Sequence, residues 1–410
     1  MKRAISILAI YSSLISPVMA SSLTVHEWGT FTSFMGSNGE LIEGLHHEDE
    51  PLPAFVHGLK KQSLLDRGHQ PSPRRCPINS KVGCSTFDNL VQTHSEIFPE
   101  APISSGITQK METPVIYFYG DAGKKINVEI NFPQGIITQY FPEATFSYPT
   151  VNEARELKDS RFVFDVTLLK ATDMLNLPVT QKESIWNPAR AVPEANTISV
   201  NNGEKEKFIF YRGVGNFTSP LKVSSDTDDV LTLDNLSQSN ISMAIVLNSN
   251  GKFGNIKTIY NLNKQQKLRV PDLGKGMAFD QYIEKTKSVI AEELIKNGLY
   301  KDEAVAMVNT WEKSYFHTPG IRVLYIVPSE DTETILPLSV KPAPNELKRV
   351  LVGRVEVMTK NEEAAYLKII GTQAGAINTE DLFGRFFEPK LRRLEQIAPL
   401  NLKEKIRALL

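Results

Sequence analysis

The sequence predicts a β-rich α+β protein, with an antiparallel β-sandwich-like core, a helical hairpin and a smaller C-terminal α/β segment. Three observations predict it. Short runs of β-branched and aromatic residues recur from residue 111 to residue 270, divided by Gly, Pro, Asn and Asp turns. Near Gly274 the apolar spacing changes from two to helical. A hydrophobic content of 41% with 23% charge is that of an ordinary globular chain.

The strongest strand signal lies in residues 111–141. Pro114–Tyr119 is a β-branched and aromatic run, Asp121–Gly123 is a turn, and Ile126–Phe132 alternates apolar with polar residues. Pro133–Gly135 turns the chain into Ile136–Phe141, so the stretch reads as a three-stranded meander. Phe162, Phe164, Val166 and Leu168 then share one face of a strand over 161–169. Glu206–Val214 is another strand. Val230–Leu233, Ser242–Leu247, Lys257–Asn261 and Lys267–Val270 follow at the short spacing of a sandwich or barrel. Phe279, Tyr282, Ile283, Thr286, Val289, Ile290 and Leu294 recur at helical spacing up to Gly298. Asp302 and Glu303 suit the start of a second helix, which runs through Trp311 to Phe316. Arg322–Val327 and Lys348–Met358 read as strands, Asn361–Ile370 and Glu380–Phe387 as helices.

This divides the chain into residues 1–20, a loop-rich segment 21–109 packing on the core, a core at 110–272, and residues 273–410. The first twenty residues have the form of a signal peptide. Lys2 and Arg3 precede an apolar run too short to span a bilayer, and Val18-Met19-Ala20 is a small-residue cleavage signal. The expected mature protein is exported without a transmembrane segment: periplasmic if the cell has an outer membrane, otherwise secreted. A net charge of −1 supplies no field to gather nucleic acid. In an oxidising compartment Cys76 and Cys84 are expected to form a disulfide; two metal thiolates are the alternative, although Cys-x7-Cys is not a common zinc spacing.

Several blocks, HEWGTFTS (26–33), METPVIYFY (111–119), EKFIFYRGVG (206–215), GIRVLYIVP (320–328) and LPLSVKP through VLVGRVE (336–356), resemble in content and order a family of uncharacterised exported bacterial proteins. The resemblance implies an exported, β-rich protein and carries over no catalytic residue.

Histidine placement suggests chemistry. Six of the seven histidines fall within residues 26–94, where even spreading predicts about one. Imidazole and carboxylate are ordinary ligands for a divalent metal such as zinc. The reading that follows makes His26, His46, His47 and His57 ligands and Glu27 or Glu48 the general base of metal-assisted hydrolysis. Against it, neighbours on a strand face opposite ways, so His26 and Glu27 share a site only if the backbone bends. The rival is a non-enzymatic envelope or extracellular binding or structural protein. Trp28 and Trp186 are candidates for a carbohydrate platform. Glu112, Arg212, Arg354 and Glu356 are charges set against apolar strands, where a buried Arg–carboxylate pair either fixes the fold or positions a substrate carboxylate or phosphate.

Overall fold

In the computed structural model the described residues are 22–45, 52–59, 106–150, 153–154, 156–373 and 377–410. Strand outweighs helix, 38% to 27%. The N-terminal half supplies β1 (Leu23–Met35), β2 (His57–Gly58), β3 (Gln109–Gly120), β4 (Lys125–Phe132), β5 (Gly135–Phe141), β6 (Phe146–Tyr148) and β7 (Ser160–Leu168). Helix α1 (Trp186–Arg190) and strands β8 (Ile198–Ser199), β9 (Lys205–Glu206) and β10 (Ile209–Gly215) follow. Next come β11 (Leu221–Ser225), β12 (Val230–Asn235), β13 (Ile241–Ser249), β14 (Phe253–Leu262), β15 (Gln265–Arg269) and β16 (Met277–Ala278). Helices α2 (Phe279–Lys296) and α3 (Lys301–Trp311) form the expected hairpin, with a π-helical turn over Glu312–His317. The remainder is β17 (Gly320–Ile326), α4 (Ser329–Ile335), β18 (Leu338–Lys341), β19 (Glu346–Val357), α5 (Lys360–Thr372), α6 (Thr379–Phe383), α7 (Phe387–Ile397) and α8 (Leu400–Arg407).

A ten-stranded sheet runs β16-β14-β13-β17-β19-β1-β3-β10-β5-β2, with β1 and β19 paired in parallel. A second sheet is β18-β4-β7-β8-β9 with β6 beside β7, and a third is β11-β12-β15. The large sheet is covered on both faces, and the alternation of β1 records it. Leu23, Val25, Phe31 and Met35 pack with Ile126, Val128, Ile130, Phe162 and Leu231 of the smaller sheets, which makes the sandwich. Trp28, on the opposite face, packs with Val350, Leu324 and the apolar stripe of α2 and α3, including Tyr282, Ile290 and Met307. A third cluster joins Phe34 and Val214 to α5 to α8.

The α+β class with a sandwich-like core is observed, but two connections differ from expectation. The strands of the 111–141 stretch exist, yet they make no meander: β4 pairs with β7 and β18, while β3 and β5 both flank β10. Both edges of β3 are already taken, by β1 and β10, so the chain leaves the sheet after the turn at Gly123, whose φ is +90°. The N-terminal segment also does more than cover a core at 110–272. Its strand β1 sits inside the large sheet, between β19 and β3. Strand β18 and helix α4 fall in a stretch whose prolines obscure any period. Gly298, at φ +111°, ends α2 as expected, and the Glu303 carboxylate accepts the Tyr300 amide at 2.7 Å at the start of α3. Residues 1–20, the helix expected at Phe87–Phe98, and Cys76 and Cys84 lie outside the described residues.

Candidate functional site

The histidine–carboxylate constellation does not assemble from its described members. His26 faces the helices, where Nδ1 lies 2.8 Å from Oε2 of Glu303. Tyr119 donates its hydroxyl to Oε1 of the same carboxylate at 2.6 Å. Burial and Glu303 together push the Tyr119 phenol well above its ordinary range. Glu27 faces the other way, into the sandwich, where Oε2 accepts from Arg349 Nε at 2.6 Å and Oε1 accepts from the Tyr211 hydroxyl. The backbone therefore does not bend to unite His26 and Glu27, and Glu27 is committed to an ion pair rather than free to act as a base. His57 lies on the edge strand β2, 2.9 Å from Glu204 and 3.4 Å from Glu143. Four strand positions separate β1 from β2, roughly 19 Å at about 4.8 Å per strand, so one ion cannot take both His26 and His57. His46, His47 and Glu48 lie outside the described residues. Among the described residues, no group of three or more His, Cys, Asp or Glu side chains is arranged to hold a metal ion. Trp28 and Trp186 are core residues rather than a platform, 0% and 2% exposed.

The charges in the apolar strands do converge. On the helix-facing side of the large sheet, Arg354 of β19, Thr32 of β1 and Lys110 of β3 lie in one register row, and Arg322 of β17 is directly opposite Glu356 of β19. The central strand contributes only the small Thr30 and Thr32 here, which leaves space for the long side chains of its neighbours. Glu356 Oε1 accepts from Arg322 Nε at 2.9 Å and from Arg354 Nε at 2.7 Å, with Arg354 Nη2 in an ion pair 2.5 Å away. Burial works to raise the Glu356 carboxyl, but Arg322, Arg354 and Arg385 outweigh it and hold the group below its ordinary range. Burial lowers the Arg322 guanidinium. Arg354 lies with its guanidinium 4.1 Å from the Tyr315 ring centroid, as in a cation–π contact. Its Nη1 makes no hydrogen bond among the described residues and is 3.9 Å from Glu112.

Glu112 is the second carboxylate. It accepts from the Tyr315 hydroxyl and lies 3.4 Å from Arg385 Nη2 and 3.7 Å from Lys110 Nζ. The π-helical turn delivers Tyr315, and the Ser314 carbonyl of that turn accepts from Arg385 at 2.9 Å and from Arg354 at 3.3 Å. The sheet is bent for this. Pairing of β1 with β3 shifts between Trp28 and Thr30, and both edges of β10 shift beside Gly213. At the bulge Thr113 takes φ +48°, a left-handed conformation uncommon for a β-branched residue. Gly29 is required opposite it, because a Cβ there would stand 2.8 Å from Pro114 Cα. The bulge lets Lys110, Glu112, Val115 and Tyr117 all face the helices despite the odd spacing between 112 and 115.

A cavity of about 30 Å³ opens here, lined by Lys110, Glu112, Arg212, Trp311, Tyr315 and Arg385 among others. It admits a water or two, or one carboxylate-sized group. Its mouth lies at the half-buried Ile185, Ser314 and Arg385. Lys110, Arg212 and Arg385 line it, and Arg354 and Arg322 lie behind it with Glu356. Two further donors on its wall, Trp311 Nε1 and the Thr113 hydroxyl, are buried without a partner among the described residues. A larger cleft of about 650 Å³ opens beyond Arg385, but its lining is more acidic than basic, with Asp229, Glu356, Glu362 and Asp381 beside Lys390 and Arg385.

Glu112, Arg212, Arg354 and Glu356 carry a visible signal, charge within an apolar strand. Lys110 and Arg322 carry the same signal by two-residue alternation with Glu112 and Leu324. Tyr315 and Arg385 carry none.

No family model matches the chain, and no curated protein matches it. Among solved structures it is similar to the Fcho1 Mu homology domain of Danio rerio with bound Eps15 peptide, at 8% identity, covering 82% of this chain and 96% of that one, with a TM-score of 0.26. It also matches a structure from a 1.5-MDa bacterial ice-binding adhesin, at 9% identity over 60% of this chain and 58% of that one, with a TM-score of 0.14. Neither likeness is close enough to bear on fold or function. No helix among the described residues is long and apolar enough to cross a membrane.

Proposed function

We propose that the protein is an exported binding protein whose site receives a small anionic group at the cavity between β3, β10 and the π-helical turn. The observation that carries this reading is the cavity's set of open donors: Trp311 Nε1 and the Thr113 hydroxyl on its wall, and Arg354 Nη1 behind it, are buried without a hydrogen-bond partner among the described residues. Buried donors without acceptors favour a group that brings oxygen acceptors, and the Arg354 guanidinium matches carboxylate or phosphate geometry. Export is supported by the form of residues 1–20. Metal-assisted hydrolysis gains no support from His26 and His57, each of which is engaged by carboxylates of its own neighbourhood.

The test is calorimetric titration of residues 21–410 with acetate, phosphate and sulfate. At least one should bind saturably, and Trp311→Phe, which removes an open donor on the wall, should weaken it by roughly 10-fold or more, the loss expected for a hydrogen bond to a charged group. Arg161→Ala, which removes an exposed partner of Glu129, should leave binding unchanged. Absence of saturable binding, or equal effects of the two variants, overturns the proposal.

A further inference from the structure

The cavity's cations and its open donors are different groups. Lys110 Nζ and Arg385 Nη2 lie 3.7 and 3.4 Å from Glu112, and Arg212 donates to the Gln139 side chain, so each of the three already has a partner. What stands open is hydrogen bonding, at Trp311 Nε1 and the Thr113 hydroxyl on the wall and at Arg354 Nη1 behind it. Three donors suit a group with two oxygens and four lone-pair directions. Glu112 is a fixed negative charge on the same wall. Its repulsion doubles for a dianion, and the cations that would offset it are already engaged. Size acts in the same direction. About 30 Å³ holds a planar carboxylate, whereas a tetrahedral sulfate or phosphate carries two further oxygens. The inner side of the cavity is closed by the buried Thr310, Trp311 and Tyr315. The way out is the mouth at the half-buried Ile185, Ser314 and Arg385.

We infer that the group this cavity receives is a single carboxylate on the open donors of Trp311, Thr113 and Arg354, carried by a small acid whose remainder stays at the mouth beside Ile185 and Ser314. This rests on the anion-binding reading and narrows it to one chemical class, the monocarboxylates, to the exclusion of phosphate and sulfate.

The experiment is calorimetric titration of residues 21–410 with formate, acetate, propionate and butyrate, with methanesulfonate as a tetrahedral monoanion and sulfate as a tetrahedral dianion. Sulfate should bind about 10-fold or more weaker than acetate, a smaller penalty than one extra charge about 4 Å from Glu112 carries at an effective dielectric of about 20. Methanesulfonate, with the charge of acetate on a bulkier head, should fall between them. From acetate to butyrate the affinity should change by less than the about 4-fold per methylene that burial would give, because the added carbons stay at the mouth. Ile185→Trp, which narrows the mouth, should weaken butyrate more than formate. Ile185 lies in no sheet and no core cluster, so the variant is expected to fold, and an unchanged thermal melt checks it. The series on the parent protein stands without it. If sulfate or methanesulfonate binds as tightly as acetate, the inference falls and the anion-binding reading stands. If none of the probes binds, both fall. If affinity climbs by about 4-fold per methylene, or Ile185→Trp weakens formate and butyrate alike, the carbons of the acid are not at the mouth and the inference falls.

Discussion

Two buried ion networks lie on opposite faces of the large sheet and are built from the same kinds of side chain, Arg, Glu and Tyr. The one around Glu27, in the sandwich, is closed. Arg349 gives Nε to Glu27 at 2.6 Å, Nη1 to Glu333 at 2.9 Å and Nη2 to the Leu336 carbonyl at 2.7 Å, while Tyr211 takes the other Glu27 oxygen. The one around Glu112 and Glu356, under the helices, has a cavity, open donors on its wall, and a guanidinium nitrogen without a hydrogen bond among the described residues. A balanced network holds a fold together. A network with open donors and space is stabilised by a group that brings acceptors. The backbone agrees: β1 pairs regularly with β3 at Glu27, whereas the register shifts lie beside the cavity.

The largest effects should come from breaking each network at its carboxylate. Glu356→Gln leaves Arg322 and Arg354, both wholly buried, without their main counter-charge. A loss of about 3–5 kcal/mol in urea unfolding is expected, as when one partner of a buried pair is removed. Glu27→Gln should lose less, about 2–3 kcal/mol by the same argument, because the half-exposed Glu333 still serves Arg349. Saturating anion should recover part of the loss in Glu356→Gln and none in Glu27→Gln. Equal recovery in both variants would erase the distinction between the networks.

Acid should act on the same contrast at a smaller scale. The folded Glu356 carboxyl is held below its ordinary value of 4.5, against the pull of burial, by Arg322, Arg354 and Arg385; Lys390 also acts on the group. A depressed carboxylate contributes stability that is fully present above the unfolded value and is lost as pH falls through the folded one. Stability should therefore decline on acidification from about pH 4.5 downward. In Glu356→Gln that decline should be shallower than in the parent protein, measured by urea unfolding at stepped pH. An identical slope in both would show that other carboxylates set the acid limb.

How much of this is legible in the sequence depends on range. Local signals read well: the face of Phe162, Phe164, Val166 and Leu168, the hairpin of α2 and α3, and the oddity of Glu112, Arg212, Arg354 and Glu356 in apolar runs are all observed. Pairing does not read locally. The turn at 121–123 announces a hairpin, but only the occupied edges of β3 decide that β4 joins another sheet. The histidines mislead for the same reason. His26 and His57 are close in sequence, but β1 lies in the middle of the sheet and β2 at its edge. Arg385 reaches the site from a 3₁₀ turn 273 residues after Glu112, and no periodicity within either segment encodes that meeting.

The smallest effect bears on the backbone of the site. Thr113 holds φ +48° in the bulge, a conformation that costs a non-glycine residue about 1–2 kcal/mol. Glycine adopts it freely but carries a greater loss of chain entropy on folding, about 0.5–1 kcal/mol. Thr113→Gly should therefore leave stability unchanged or raise it by up to about 1 kcal/mol. That would be the opposite of the usual loss for glycine in a strand. The corresponding change in the closed network, Val25→Gly beside Glu27, deletes a wholly buried core side chain in regular strand geometry and should destabilise by several kcal/mol. A clear loss in Thr113→Gly would mean that the bulge is not strained. The two networks would then differ only in the cavity and its open donors, and the backbone beside the cavity would be as relaxed as the backbone at Glu27.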